Sequence, residues 1–514
     1  MKTLRSDVIF SLHDGQCDLA HESVRGGLVT LTSQGVQFLL RTVGMVVLAR
    51  LLTPSDFGLV AMVAVVVNFV QMFRDAGLST VTIQRDRISP AQVSTLFWLN
   101  VLTSTILGLC ILASAPLVSL FYGRPELTTL GAAMSVPVIL GGLTIQHQAI
   151  LRRHLRFGML ACIHMGSLFS SVTVTVLLAW AGWRVWALVA GMLAEALAGV
   201  ILTFTVCPWL PGGMRRGTGA RASLRFGGHL MGFSLANFLS RNGDNLLVGQ
   251  CLGAESLGLY AKAYQVFMMP ISQIRGPLDQ VGLPVLSSLR GHPDRYLRYY
   301  QRLLDVVASL TLPVTVYCFL ESSFLVEQLL GPRWLGAAPV LHILAVAGII
   351  QPLFSTAGLV QLSYGFSRRY MSWGIVGAVC YVSAFLIGIR SGAEGVAMSY
   401  TAANYLLFVP TLAYCFRGTP VTLGFFARSV ATPLGCTAAA AMIGVCVSHL
   451  GSPETRHIVF LLGYLGALFG VALLRKSFRG LIGSTVDICL SRLSRRSDVG
   501  RLSEGSAELA EPAK

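Results

Sequence analysis

Charge is scarce in this sequence. Asp, Glu, Lys and Arg together make up 12% of its 514 residues, against about 25% in an ordinary soluble domain. That shortage excludes a soluble multidomain enzyme. Paired cysteines are missing as well. The eleven Cys are scattered, mostly singly within apolar segments (Cys110, Cys162, Cys380 and Cys446 among them), and no CxxC occurs. Neither a zinc site nor a disulfide framework follows from such spacing. The chain has no Gly-rich phosphate loop, no metal-spaced His cluster and no Ser/His/Asp set, so nothing in it calls for a cofactor. The first 25 residues lack the uninterrupted apolar core of a signal peptide and read as a cytoplasmic tail.

Hydrophobicity is what remains. Apolar residues make up 54% of the chain, and the mean hydropathy is +0.67. About 20 apolar residues cross a bilayer as a helix. On that criterion about fourteen windows qualify, near 26–50, 57–73, 91–121, 127–150, 158–180, 184–207, 226–250, 256–283, 298–320, 335–360, 370–389, 394–417, 427–449 and 457–475. The expected fold is an all-α polytopic membrane protein. The basic residues orient it. With both termini in the cytoplasm, 29 of the 39 Lys and Arg fall on the cytoplasmic side, 6 outside and 4 within spans. A missed or extra span would invert that bias downstream, so positive-inside orientation favours an even count. The net charge of +16 is then topology and does not point to nucleic acid.

The four charges left inside spans are Arg41, Arg241, Lys262 and Arg275. Each costs at least ~2.5–3.5 kcal/mol near the bilayer centre, so a function that uses them is the default hypothesis. Two of them belong to an internal repeat. Phe38-Leu39, Arg41, Leu52 and Gly58-Leu59 recur 200 residues on as Phe238-Leu239, Arg241, Leu252 and Gly258-Leu259. Repeats of this kind build many transporters. The stretch 208–225, rich in Gly, Pro and Arg, is expected to link an N-lobe of six helices (26–207) to a C-lobe of six (226–417). Helices 13 and 14 (418–475) stand outside the repeat, and 476–514 forms a polar, partly disordered cytoplasmic tail.

Depth follows from a rise of ~1.5 Å per residue. Arg41 and Arg241 each lie ~22 Å in from the cytoplasm, and Lys262 ~9 Å from the outer edge. All three can line one cationic cavity, with Arg275 at a lower level. Guanidinium groups fork onto phosphate oxygens, so such a cavity suits an anionic, diphosphate-bearing substrate. The competing reading is snorkelling, or pairing within the helix layer, as for Arg241 with Asp244 at i,i+3. Asp244 and Glu195 are the acids placed to exchange a proton or sodium ion during a cycle. His147 and His154 read as surface groups, and the Trp residues near span ends, Trp334 among them, as an interfacial belt.

The wording of several segments carries a resemblance. VRGGLVTLTSQGVQFLLRTVGMVVLARLLTPSDFGLVAM resembles the opening of the polysaccharide transport family, the Wzx-type flippases of the colanic-acid and exopolysaccharide branch. FRDAGLSTVTIQRDRISPAQVSTLFWLN, AILRRHLRF and DNLLVGQCLGAESLGLYAKAYQVFMMPISQI continue it, over most of residues 24–420. The resemblance implies two six-helix lobes and alternating access. It also implies movement of undecaprenyl-diphosphate-linked oligosaccharide across the inner membrane, with proton or sodium coupling and with polymerase and glycosyltransferases as partners. A multidrug or cation extruder of the same superfamily is the near alternative. An acidic cavity would favour it, whereas the repeated in-span residues here are Arg. A membrane enzyme of polysaccharide assembly is the distant one, and the short external loops argue against it.

Overall fold

The structure is a computed structural model. It describes residues 16–74, 79, 82–83, 88–213, 220–448 and 456–474, with backbone alone at 16–28, 31, 220–237, 239–241, 447–448, 456 and 467–474. The polar tail from 476 onward lies outside the described residues.

Every apolar window of the sequence overlaps helix among the described residues. The helices are α1 (Gln16–Leu51), α2 (Pro54–Gln71), α3 (Pro90–Tyr122), α4 (Glu126–Gly142), α5 (Ile145–Arg153), α6 (Phe157–Trp180) and α7 (Val185–Val206). There follow α8 (Ala220–Ser288), α9 (Pro293–Leu320), α10 (Ser322–Leu329), α11 (Ala338–Ser363), α12 (Ser367–Gly388), α13 (Gly392–Phe416), α14 (Leu423–Ser448) and α15 (Arg456–Leu474). Among the described residues, nine helical runs are long and apolar enough to cross a membrane.

The first break in the chain is built by capping. Thr53 is extended, and its side chain accepts from the backbone N–H of Asp56. The Asp56 carboxylate in turn accepts from the Thr53 N–H at 3.0 Å and from its hydroxyl at 2.6 Å. This reciprocal cap satisfies donors that the start of α2 would leave bare. Asp56 is therefore a helix-start residue, 3% exposed, and not a free acid in a loop. The second break, 200 residues on, uses glycine. Gly253 (φ 84°, ψ −178°) divides α8 into two helices, in a backbone region that L side chains avoid.

The two breaks bring the repeats face to face. A Cβ at Gly58 would fall 1.7 Å from the Ala254 carbonyl oxygen, and a Cβ at Gly258 would fall 1.9 Å from the Pro54 carbonyl oxygen. The contact is reciprocal: 58 meets 254, and 258 meets 54. The 200-residue repeat is thus a pseudo-two-fold crossing of α2 with the second half of α8, close enough that only glycine fits. Further bonds tie the halves at this end. The buried Trp334 ring donates its Nε1–H to the Ala49 carbonyl at 2.8 Å and packs edge-on against Phe57. Arg50 donates to the Gln328 carbonyl at 2.9 Å. Trp334 is fully buried and so is a packing anchor, not part of an interfacial belt. Trp180, Trp183 and Trp186 are exposed, as a belt requires.

His147 also departs from expectation. It is buried, and its Nε2 lies 2.9 Å from the Trp209 carbonyl oxygen. The apolar slot that encloses it is lined by Phe97, Phe204 and Trp209. Residues 208–213 of the expected linker lie along the first half of the chain, where Trp98 donates to the Gly212 carbonyl and the Gly212 N–H donates to Ser94.

Candidate functional site

Three adjoining cavities lie along the second half of α8, two of them against α1. Along this stretch α8 carries Pro270, Pro277 and Pro284 inside the helix, and a proline there leaves a carbonyl without its intrahelical donor.

The first cavity, about 410 Å³, is lined by Arg41 and Leu48 from α1, Val172 from α6, and Lys262, Gln265 and Ser272 from α8. The lining holds two cations and no carboxylate. Lys262 is 8% exposed. It donates to Gln265 Oε1 at 2.9 Å and sits 3.9 Å from the centre of the Phe57 ring. Phe57 and Gln265 give it a cation–π face and one hydrogen bond. Among the described residues no carboxylate lies within ion-pair distance of it. The second cavity, about 250 Å³, continues from Arg41 along Gln34, Gln37, Gln273 and Gln280. The Gln273 amide donates to the Gln34 carbonyl at 3.3 Å, which ties α1 to α8 at this level.

The third cavity, about 530 Å³, reaches into the second half of the chain, between α8, α11, α12 and α13. It adjoins the first, with Met268 and Ser272 in both linings. Asp244 and Arg275 line it. Arg275 is already matched, by Asp279 at 3.1 Å one turn away. Asp244, 4% exposed, accepts from the Tyr260 hydroxyl at 2.9 Å and from the Asn245 N–H at 2.8 Å.

The structure thus brings Arg41 and Lys262 to one cavity, and Asp244 and Arg275 to the next. The backbone at Arg241 is helical, but its side chain lies outside the described residues, as does the suggested pairing with Asp244. Glu195 differs from expectation: it is exposed on α7 and absent from the linings of all three cavities. The buried residues of α7 are Ala187, Val189, Gly191 and Thr203. Reading the sequence for charge alone overlooked the uncharged polar groups, above all Gln265, Gln351 and Gln361. Their signal was present: an amide inside an apolar window is as out of place as a charge, only at lower cost.

Residues 47–339 match the model of a family described as polysaccharide biosynthesis protein. The chain belongs to that family. Among its relatives is the teichuronic acid biosynthesis protein TuaB of Bacillus subtilis (strain 168), 28% identical over 389 residues, 74% of this chain and 79% of that protein. Another is the succinoglycan biosynthesis transport protein ExoT of Rhizobium meliloti (strain 1021), 25% identical over 473 residues, 90% of this chain and 94% of that one. Among solved structures, the lipid II flippase MurJ in an inward closed conformation superposes with a TM-score of 0.70 at 12% identity. That match covers 89% of this chain and all of MurJ. An inward-facing multidrug resistance MATE transporter of the MOP superfamily matches at 0.57 and 14% identity, over 76% of this chain and 97% of that one. At these identities the structural likeness shows a shared fold.

Proposed function

We propose that this protein is a flippase. It moves undecaprenyl-diphosphate-linked oligosaccharide repeat units across the bacterial inner membrane for lipopolysaccharide or exopolysaccharide biosynthesis. The observation that carries this reading is the first cavity, where Arg41 and Lys262 converge from opposite sides without a carboxylate in the lining. A buried Lys262 and an exposed Arg41 in one lining, with no counter-ion there, favour a diphosphate. They disfavour the cationic cargo of a drug extruder, which would need acidic groups there. Relatives named for teichuronic acid biosynthesis and succinoglycan transport support the substrate class and argue against an enzyme.

In this reading the chain crosses the membrane fourteen times with both termini in the cytoplasm. The N-lobe (26–207) and C-lobe (226–417) rock about the α2–α8 crossing, the 208–225 linker joins them, and helices 13 and 14 (418–475) flank the C-lobe. Arg41 and Lys262 hold the diphosphate, joined by Arg241 from the repeat. Arg275 can enter once substrate displaces Asp279. Asp244, buried and facing a cavity, is the group for proton or sodium coupling, a role for which exposed Glu195 is less suited. Polysaccharide polymerase and glycosyltransferases would supply and consume the lipid-linked glycan.

The test is the sidedness of the lipid-linked oligosaccharide in cells deleted for the gene, read with an impermeant modifying reagent. Material held on the cytoplasmic face, and released by wild type but not by an Arg41→Gln/Lys262→Met variant, supports the proposal. Normal sidedness with a polymerisation defect moves the protein to the enzyme class.

A further inference from the structure

The third cavity differs in chemistry from the first. Its walls carry the rings of Tyr264, Trp373, Tyr381 and Tyr400, together with the amides of Gln351 and Gln361. Gln361 is fully buried, and among the described residues neither its Nε2 nor its Oε1 has a hydrogen-bond partner. Gln351 donates through Nε2 to the Tyr400 hydroxyl at 3.0 Å, while its Oε1 is unpartnered. An unmade hydrogen bond on a buried amide costs about 1–3 kcal/mol, and each such group needs a reason. Three unpartnered atoms on two amides of one helix, both lining one chamber, point to a ligand that supplies donors and acceptors together. Two of the rings are held by neighbouring side chains. Trp373 donates to Thr411 at 2.9 Å and stacks on Tyr414 at 4.7 Å. Tyr381 donates to Asn404 at 3.1 Å. Between Trp373 and Tyr381 on α12, Gly374 and Gly377 line the chamber without side chains.

We propose that this chamber is the seat of a sugar ring of the lipid-linked glycan, separate from the cavity that holds its diphosphate. Vicinal hydroxyls donate and accept in the pattern that a side-chain amide presents. The weakly positive C–H face of a pyranose packs on the negative face of an aromatic ring. At about 530 Å³ the chamber lies within the range of ligand pockets, which are apolar walls with a few placed polar groups. Its junction with the first cavity at Met268 and Ser272 lets one molecule occupy both: diphosphate at Arg41 and Lys262, sugar at Gln351 and Gln361. The inference rests on the flippase reading and adds to it which residues read the glycan.

The experiment measures binding in nanodiscs with three probes: undecaprenol, undecaprenyl diphosphate, and the polyprenyl-diphosphate-linked oligosaccharide extracted from cells deleted for the gene. For wild type, the glycan-bearing probe binds at least about tenfold more tightly than the bare diphosphate, the equivalent of ~1.4 kcal/mol. Gln361→Met removes most of that difference and leaves the affinity for undecaprenyl diphosphate within about twofold, which also shows that the variant is folded. Gln351→Met on the same helix, and Trp373→Leu on the facing one, repeat the result if Gln361→Met fails to assemble. Equal weakening of both diphosphate probes overturns the proposal, because the amides then support the headgroup site. Selective loss of undecaprenol binding overturns it too, and assigns the chamber to the lipid chain. Failure of wild type to bind either diphosphate probe sinks the flippase reading itself.

Discussion

Lys262 is a buried amine whose partners are an amide oxygen and a phenyl ring. An uncompensated buried charge destabilises a fold, and an apolar residue of similar volume in its place is often neutral or stabilising. Stability and function are therefore expected to separate at this position. Lys262→Met leaves the thermal midpoint unchanged or raises it, while affinity for undecaprenyl diphosphate falls by about ten- to a hundredfold, from ~1.5–3 kcal/mol for a hydrogen bond to a charged group. A thermal melt and a binding isotherm on one preparation check this. A drop in both would make Lys262 a structural residue. Asp56 is the opposite case. Its carboxylate closes the Thr53 cap and lies 3.5 Å from Arg184. Asp56→Ala is expected to cost about 0.5–2 kcal/mol of stability with substrate affinity intact, measured by the same two methods. Arg41 and Lys262 were legible as sequence because charge is rare in apolar windows. His147 was not, because its slot is assembled from α3, α5, α7 and the 208–213 segment, which no local pattern reveals.

At the scale of elements, the crossing of α2 with α8 sets the geometry of everything below it. Gly58 and Gly258 meet each other's repeat at backbone distance, so any side chain there must push two helices apart. Overpacking a close contact costs typically ~1–3 kcal/mol. Gly58→Val and Gly258→Val are expected to lower the thermal midpoint by similar amounts, because the contact is reciprocal. A large loss at one position and none at the other, on calorimetric scans, would show that the pseudo-symmetry carries no energetic weight. The repeat was readable in the sequence as six identities at an offset of 200, but its meaning was not. Nothing in the spacing says that residue 58 packs on 254 and 258 on 54. The break between α1 and α2 was legible as a gap between windows. The matching break at Gly253 was legible in the same way, although helix continues on both sides of it without a loop.

For the whole molecule, bonds between the two halves occur at two levels. Gln273 to Gln34 and Thr42 to Met269 tie the halves at the level of the cavities, while Trp334 to Ala49, Arg50 to Gln328 and the glycine crossing tie them at the end that charge bias assigns to the outside. Weakening this end is expected to favour the opposite state. Trp334→Phe, which keeps the ring packing and removes the Nε1–H bond, is expected to raise outside labelling of a cysteine introduced at Leu48, in the wall of the first cavity, by severalfold over the parent. The parent is a variant whose native cysteines have been replaced, and unchanged labelling would mean that the bond does not hold the end shut. The overall class was legible from composition; hydropathy and charge bias led to an expectation of fourteen spans, and nine helical runs among the described residues are long and apolar enough to cross a membrane. The division of the interior into a cationic cavity and an aromatic, amide-lined chamber was not, because neutral glutamines and tyrosines give no signal until helices far apart in sequence meet.

The central claim is that a diphosphate crosses the membrane through the cavity of Arg41 and Lys262. Its most direct test is translocation by purified protein in proteoliposomes that carry the lipid-linked oligosaccharide on one leaflet, followed by an impermeant modifying reagent. The account predicts transfer by wild type and its loss in Arg41→Gln/Lys262→Met, with assembly and thermal stability retained. Transfer by the double variant at the wild-type rate would contradict it.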